Sequence, residues 1–194
     1  MKGCRPLTDE EVAMVLESLP GKMAARNRAL FLLGVKSGFR ISEMLSLRLG
    51  AVVQFGVVVE RVTVERRSMK KRLEGRTVLL HPAARQALAE WIQQMARQGY
   101  MRAETPVFLS RRNPTKPVSR VWAYRFLTKT FRACKLAGKL GTHSMRETFA
   151  DRVYAHLNGD LAKTQLALGH RNINSTVSYL SFRQEEVDQA ILSI

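Results

Sequence analysis

The chain has 194 residues, enough for one domain, or two small ones, around a sizeable core. It is 45% hydrophobic and 25% charged, but 32 Lys and Arg against 16 Asp and Glu leave a formal charge of +16, which points to a polyanion, nucleic acid first, as partner. No apolar run approaches the roughly 20 residues of a membrane-spanning helix, and no apolar signal-peptide core follows the N-terminus.

Cys4 and Cys134 stand far apart without metal-ligand spacing. They read as free thiols of a reducing compartment, so a cytoplasmic, DNA-associated protein is expected.

Thr8-Asp9-Glu10-Glu11 is a capping box, and Val12, Val15, Leu16 and Leu19 follow at helical spacing until Pro20-Gly21. Asn27 to Lys36 is apolar on most sides and reads as a buried helix stopped at Gly38. Ser42 to Leu49 reads as a further helix, with Arg40 in the turn before it, against the core.

From Val57 the period changes. Val57 to Val64 and Arg76 to Leu80 read as two strands of a hairpin. Its tip is strongly basic: five of the seven residues from Arg66 to Arg72 are Arg or Lys. The tip is either a solvated turn or a finger laid on DNA, through Arg66, Arg67, Lys71 and Arg72.

His81-Pro82 starts a helix whose inner face is Ala84, Ala87, Leu88, Trp91, Ile92 and Met95. Thr105 to Ser110 reads as extended, and Arg111 to Pro117 as a basic loop that offers Arg111 and Arg112 to DNA. Ser119 caps a helix to about Ala137, with Val121, Tyr124, Thr128 and Phe131 expected inward. Another helix runs from Ser144 to about Leu157, with His143 and Arg146 at its start. Leu161 to Leu168 follows, stopped by Gly169. A short helix over 172–180 is expected to carry Tyr179. The last, Gln184 to Ile194, shows an apolar stripe of Val187, Ala190, Ile191 and Ile194. The pattern is a single domain over 1–194, mixed α+β, mostly α-helical with a small antiparallel sheet.

The chemistry-bearing residues fall at helix edges: Arg40, His143, Arg146, His170 and Tyr179. Two guanidiniums can cradle one phosphate through bidentate bonds. A Tyr hydroxyl can attack that phosphate if its proton is removed and the developing charge is held. Each residue also has a structural reading: Arg40 as a partner for Glu43, His170 at a helix end, Tyr179 as a core aromatic. There is no His-Glu-x-x-His pattern, Cys cluster or Gly-Lys-Ser/Thr phosphate loop, so neither a metal nor a nucleotide cofactor is expected.

Three segments, GFRISEMLSL, HSMRETFADRVY and LGHRNINSTVSYL, resemble in order, internal spacing and separation the catalytic boxes of tyrosine recombinases, the phage-type integrases. The resemblance runs from Leu7 to about Ser181 and implies that family's catalytic-domain fold. It implies that Arg40, Arg146 and His170 hold the scissile phosphate and Glu43 supports Arg40. His143 serves in proton transfer and Tyr179 is the nucleophile. A hairpin Lys protonates the leaving 5′ oxygen. Lys70 fits best, with Lys71 its rival. One departure is Glu147, where the family often has a second His.

The implied activity is DNA cleavage and rejoining through a 3′-phosphotyrosine, on double-stranded DNA and without cofactor. Protomers are expected to form a dimer or tetramer on DNA, with the terminal helix (184–194) exchanged between them or folded on its own domain. Type IB topoisomerase-like relaxation and non-catalytic DNA binding are the rival readings. Full-length integrases usually carry a helical DNA-binding domain ahead of this one, whereas the fimbrial phase-switch invertases resemble this chain in length.

Overall fold

The structure, a computed structural model, describes residues 4–19, 21–67, 73–180, 188–189 and 191–193. Lys70, Lys71, Arg72 and most of the expected terminal helix lie outside the described residues. The chain divides into two compact units, 1–149 and 150–194.

The first unit opens with α1 (Asp9–Glu17). The Thr8 hydroxyl accepts from the Glu11 amide at 3.2 Å and the Glu11 carboxylate accepts from the Thr8 amide at 3.0 Å. α2 (Ala24–Ser37) is the central helix, its residues buried from Ala29 through Val35. The expected helix over 42–49 is two pieces, α3 (Ile41–Ser46) and α4 (Leu49–Val52). The break comes from long-range pairing. The Leu47 carbonyl accepts from the Val107 amide and the Leu49 amide donates to the Thr105 carbonyl, both at 3.0 Å. Residues 47 and 48 are therefore extended.

The expected strand over 57–64 is also divided. β1 (Val53–Gln54) pairs antiparallel with β2 (Val57–Val58), and β3 (Arg61–Arg67) with β4 (Leu73–Leu79). Among the described residues the sheet is thus two separate two-stranded sheets. Phe55 and Gly56 both have positive φ, 50° and 78°, the backbone of a two-residue hairpin turn, and this sends residues 57–58 back along β1. In the longer hairpin Val62 faces Val78 and Val64 faces Arg76. With the two-residue period of a strand, Val62, Val64, Arg76 and Val78 share one face. The three valines are buried.

α5 (Pro82–Arg97) buries all six residues expected on its inner face, and the Trp91 indole donates to the Val107 carbonyl at 2.7 Å. α6 (Arg120–Ala133) buries a different face from the one expected: Ala123, Leu127, Thr130 and Phe131. Val121 and Tyr124 are exposed, and the half-exposed Thr128 hydroxyl returns to the Tyr124 carbonyl at 2.9 Å. Of the four residues expected inward, Phe131 is the one that is buried. The two stripes differ by a fraction of a turn, and the Trp122–Phe126 stack, with ring centroids 5.2 Å apart, helps set the rotation.

α7 (Thr142–His156) begins in the first unit and packs against α2. A Cβ at Gly34 would lie 2.6 Å from the Met145 sulfur, and one at Gly38 would lie 2.3 Å from the Phe149 ring. Gly38 is also left-handed, at φ 61°, where it caps α2. The two helices approach this closely because side chains are missing at both positions.

The second unit contains α8 (Leu161–Leu168), capped by Asp160 and ended by the left-handed Gly169, and α9 (Ile173–Val177), capped by Asn172. Tyr179 is not helical as expected. It lies in the turn just after α9, its amide donating to the Thr176 carbonyl at 2.9 Å. Among the described residues no helix is long and apolar enough to cross a membrane.

The packing of α2 on α7 predicts an asymmetry between two glycines. Gly38→Ala forces a side chain into a left-handed residue and against an aromatic ring, and should lower unfolding free energy by about 2–4 kcal/mol. Gly34→Ala also crowds Met145, but gains roughly 1 kcal/mol of helix propensity and should cost less. Urea unfolding of the two variants measures the difference.

Candidate active site

Within the first unit, the C-terminal end of α2 is where distant segments meet. The last carbonyls of a helix lack intrahelical partners and carry partial negative charge. The Gly38 carbonyl accepts two guanidinium bonds, one from Arg146 Nη1 of α7 and one from Arg76 Nη2 of β4 at 3.3 Å. A carbonyl oxygen has two lone pairs and can take both.

Two residues on, Arg40 is the N-cap of α3 and Glu43 its third residue. Glu43 Oε2 accepts from the Arg40 amide at 2.8 Å, and Oε1 accepts from Arg40 Nη1 at 3.2 Å. Arg76 Nη2 lies 3.5 Å from Glu43 Oε2. Glu43 is 5% exposed, Arg76 12% and Arg40 30%. Arg146 is almost completely buried. Three guanidiniums thus gather around one carboxylate and one carbonyl, an excess of positive charge held in fixed positions. Such an arrangement suits an anion, because the cost of orienting the donors is met during folding.

The sequence reading placed Arg40, Glu43 and Arg146 here and missed Arg76. A signal was available: Arg76 precedes Val78 by two, so it lies on the strand face that also carries buried valines, an unusual place for an Arg unless it is paired. Burial is the main cause that lowers the Arg76 pKa. The Glu43 carboxylate opposes the shift, and the Arg40 charge adds to it.

His143 is exposed in the first turn of α7, while Arg146, three residues on, is buried. Glu147, next to Arg146, is 7% exposed, and burial pushes its carboxyl up to about 7. The position where a second His is often found is therefore filled by an acid that is partly neutral near neutral pH.

Of the six residues expected on DNA, Arg111 and Arg112 are exposed in the loop after Ser110. Arg66 and Arg67 belong to β3. Lys71 and Arg72 lie outside the described residues, as does Lys70. The Arg111 loop is anchored by Arg26, which donates to the Leu109 carbonyl at 2.9 Å and stacks over Trp122 at 4.3 Å. Burial, with the Arg111 charge second, lowers the Arg26 pKa to about 10.

In the second unit, His170 follows the left-handed Gly169 and is buried. Its Nδ1 is 3.0 Å from Thr176 Oγ1, and Thr176 is fully buried on α9. When the hydroxyl donates to Nδ1, the imidazole proton sits on Nε2, which then serves as a donor. The rings of His170 and Tyr179 lie 5.3 Å apart, tilted by 36°. Thr176 is the second residue missed from sequence. A Thr in a short helix gives no local sign of its partner.

The sequence matches the phage integrase family over residues 5–186, and the chain belongs to that family. It is 26% identical to tyrosine recombinase XerC of Caldanaerobacter subterraneus subsp. tengcongensis, over 95% of this chain and 49% of the relative. It is 30% identical to the probable integrase/recombinase YoeC of Bacillus subtilis, over 82% of this chain and 80% of the relative. The chain thus spans about half the length of XerC and four-fifths that of YoeC. Among solved structures, XerH site-specific recombinase bound to difH substrate after cleavage shares the fold, with a TM-score of 0.71 at 23% identity, over 96% of this chain and 51% of that one. The expected recombinase catalytic fold is therefore present.

Two outcomes follow. Because the Glu147 pKa is raised on folding, the native state holds its proton more tightly, and stability should fall as pH rises from about 4.5 to about 7. Glu147→Gln should remove that slope and exceed the wild type at pH 8, by about 2 kcal/mol; urea unfolding across this pH range reads both. Thr176→Val should shift the His170 ring nitrogens in 15N NMR spectra by releasing Nδ1. Unchanged tautomer signals would mean that Thr176 does not orient the ring.

Proposed function

We propose that this chain is the catalytic part of a site-specific DNA recombinase. The carrying observation is the convergence of Arg40, Arg76 and Arg146 on Gly38 and Glu43, in a member of the phage integrase family. The Tyr179 hydroxyl oxygen attacks the scissile phosphorus. The P–O bond to the 5′ oxygen breaks, and a 3′-phosphotyrosine forms. Lys70 gives its proton to the leaving 5′ oxygen. His143 accepts or returns the Tyr179 proton. Arg40, Arg146 and His170 hold the phosphate as negative charge develops. Glu43 holds Arg40. A 5′ hydroxyl of a partner strand then attacks the phosphotyrosine and releases Tyr179. The bond energy is kept in the covalent link, so strand joining needs no external energy source.

The substrate is double-stranded DNA, held through Arg66, Arg67, Lys71, Arg72, Arg111 and Arg112. Protomers assemble on it as a dimer or tetramer, with residues 184–194 passed to a neighbour. The place of action is the cytoplasm, on DNA. The XerC relative is a tyrosine recombinase and the XerH structure is a post-cleavage complex on its substrate; both support this reading.

Covalent capture tests it. The protein is incubated with a randomised pool of nicked suicide duplexes, and SDS-resistant adducts are recovered and sequenced. Tyr179→Phe should abolish adducts while duplex binding persists. Arg40→Ala and Arg146→Ala should each slow cleavage by about 100-fold or more. Lys70→Ala should be rescued by a substrate whose 5′ bridging oxygen is replaced by sulfur; if only Lys71→Ala shows defect and rescue, the general acid is one residue on. No adduct from any duplex overturns the reading.

A further inference from the structure

We propose that Arg76 is a positioning residue of the catalytic centre, fixing Arg40 through Glu43 and Arg146 through the Gly38 carbonyl. The inference rests on the recombinase reading above and adds to it a residue which that mechanism does not use.

The geometry carries it. Arg76 Nη2 lies 3.3 Å from the Gly38 carbonyl oxygen and 3.5 Å from Glu43 Oε2. Those two acceptors are the ones that hold the proposed phosphate ligands: the carbonyl takes Arg146, and the carboxylate takes the Arg40 amide and guanidinium. One planar group therefore ties α2, α3, α7 and β4 at a single point. A guanidinium suits this role better than an ammonium, because its fork is rigid and its donors diverge at fixed angles. The Arg76 guanidinium carbon also lies 5.7 Å from the centroid of the Phe39 ring, within the range of cation–π attraction. Phe39 is almost completely buried, so the group is seated on a fixed surface.

The charge arithmetic explains why a third guanidinium belongs here. Arg40 and Arg76 share one buried carboxylate. Removing Arg76 leaves Glu43 free to pull the Arg40 guanidinium closer, away from the pose in which it meets a phosphate. Removing Glu43 takes away the carboxylate that Arg40 and Arg76 share, which is the costly half of a broken buried pair. The lowering of the Arg76 pKa by Arg40 and its raising by Glu43 agree with this mutual influence. Because Arg76 is on the strand that closes the basic hairpin, it also ties the hairpin base to the phosphate ligands.

Two thermodynamic cycles test the assignment. The first uses stability: Arg76→Met in a Glu43→Gln background should raise the melting temperature by at least about 3 °C relative to Glu43→Gln alone, since it removes a buried cation whose carboxylate partner is gone. The second uses single-turnover cleavage of the captured suicide duplex. Arg76→Met should slow cleavage about 10- to 100-fold at saturating DNA with less than about a threefold change in binding. In an Arg40→Lys background the same substitution should cost much less, because positioning Arg40 is what has been lost. Arg76→Lys keeps the charge and should restore stability more fully than rate. Rescue of stability together with non-additive cleavage losses supports the assignment. Additive cleavage losses, or rate and stability lost in parallel and restored together by Lys, reduce Arg76 to a purely structural residue and overturn it. A wild-type protein that captures no duplex overturns the recombinase reading and this inference together, an outcome distinct from additive losses in a protein that cleaves.

Discussion

The buried carboxylate of Glu43 is the constraint around which the first unit is arranged. A carboxyl group at 5% exposure must find partners, and two guanidiniums and a backbone amide supply them. Beside it, the Gly38 carbonyl is a helix-end acceptor that two further guanidinium bonds satisfy. Buried ion pairs of this kind contribute little net stability, because desolvation offsets the attraction. What they supply is fixed direction. Guanidiniums held in fixed positions around one carboxylate and one carbonyl need not reorganise to meet an anion.

The apolar frame serves that arrangement. Arg146 reaches Gly38 only because α7 lies close on α2, and α7 lies close because Gly34 and Gly38 leave room for Met145 and Phe149. Arg76 reaches the same carbonyl because the β3–β4 register places it on the face of Val62, Val64 and Val78. Trp91 joins α5 to the segment whose backbone divides α3 from α4. Core packing and site geometry are thus one set of constraints, and a change at a small residue is felt at a charged one.

The second unit repeats the logic on a smaller scale. A left-handed glycine ends α8 and sets His170 at the turn, a buried Thr holds one imidazole nitrogen, and the Tyr179 ring lies against the imidazole. Tyr179 sits in a turn after α9 rather than within a helix, its amide donating to the Thr176 carbonyl.

Much of this was legible in the chain. The capping box at Thr8, the six-residue face of α5 and the helix stops at Gly38 and Gly169 are local patterns, set by helix period and backbone sterics, and they appear as read. The motif spacing of Arg40, Arg146, His170 and Tyr179 was enough to point to the family that the comparison establishes. Tertiary structure decided the rest. It cut the helix over 42–49 by pairing it with residues 105–107, split one strand into two hairpins, and turned α6 to bury Ala123 and Leu127 rather than Val121 and Tyr124. It also decided that Arg76 and Arg146, 38 and 108 residues from Gly38, share its carbonyl. A periodic pattern reports which residues of one element avoid water. Which groups from distant elements satisfy the same buried acceptor depends on the three-dimensional approach of those elements, and no local pattern encodes that.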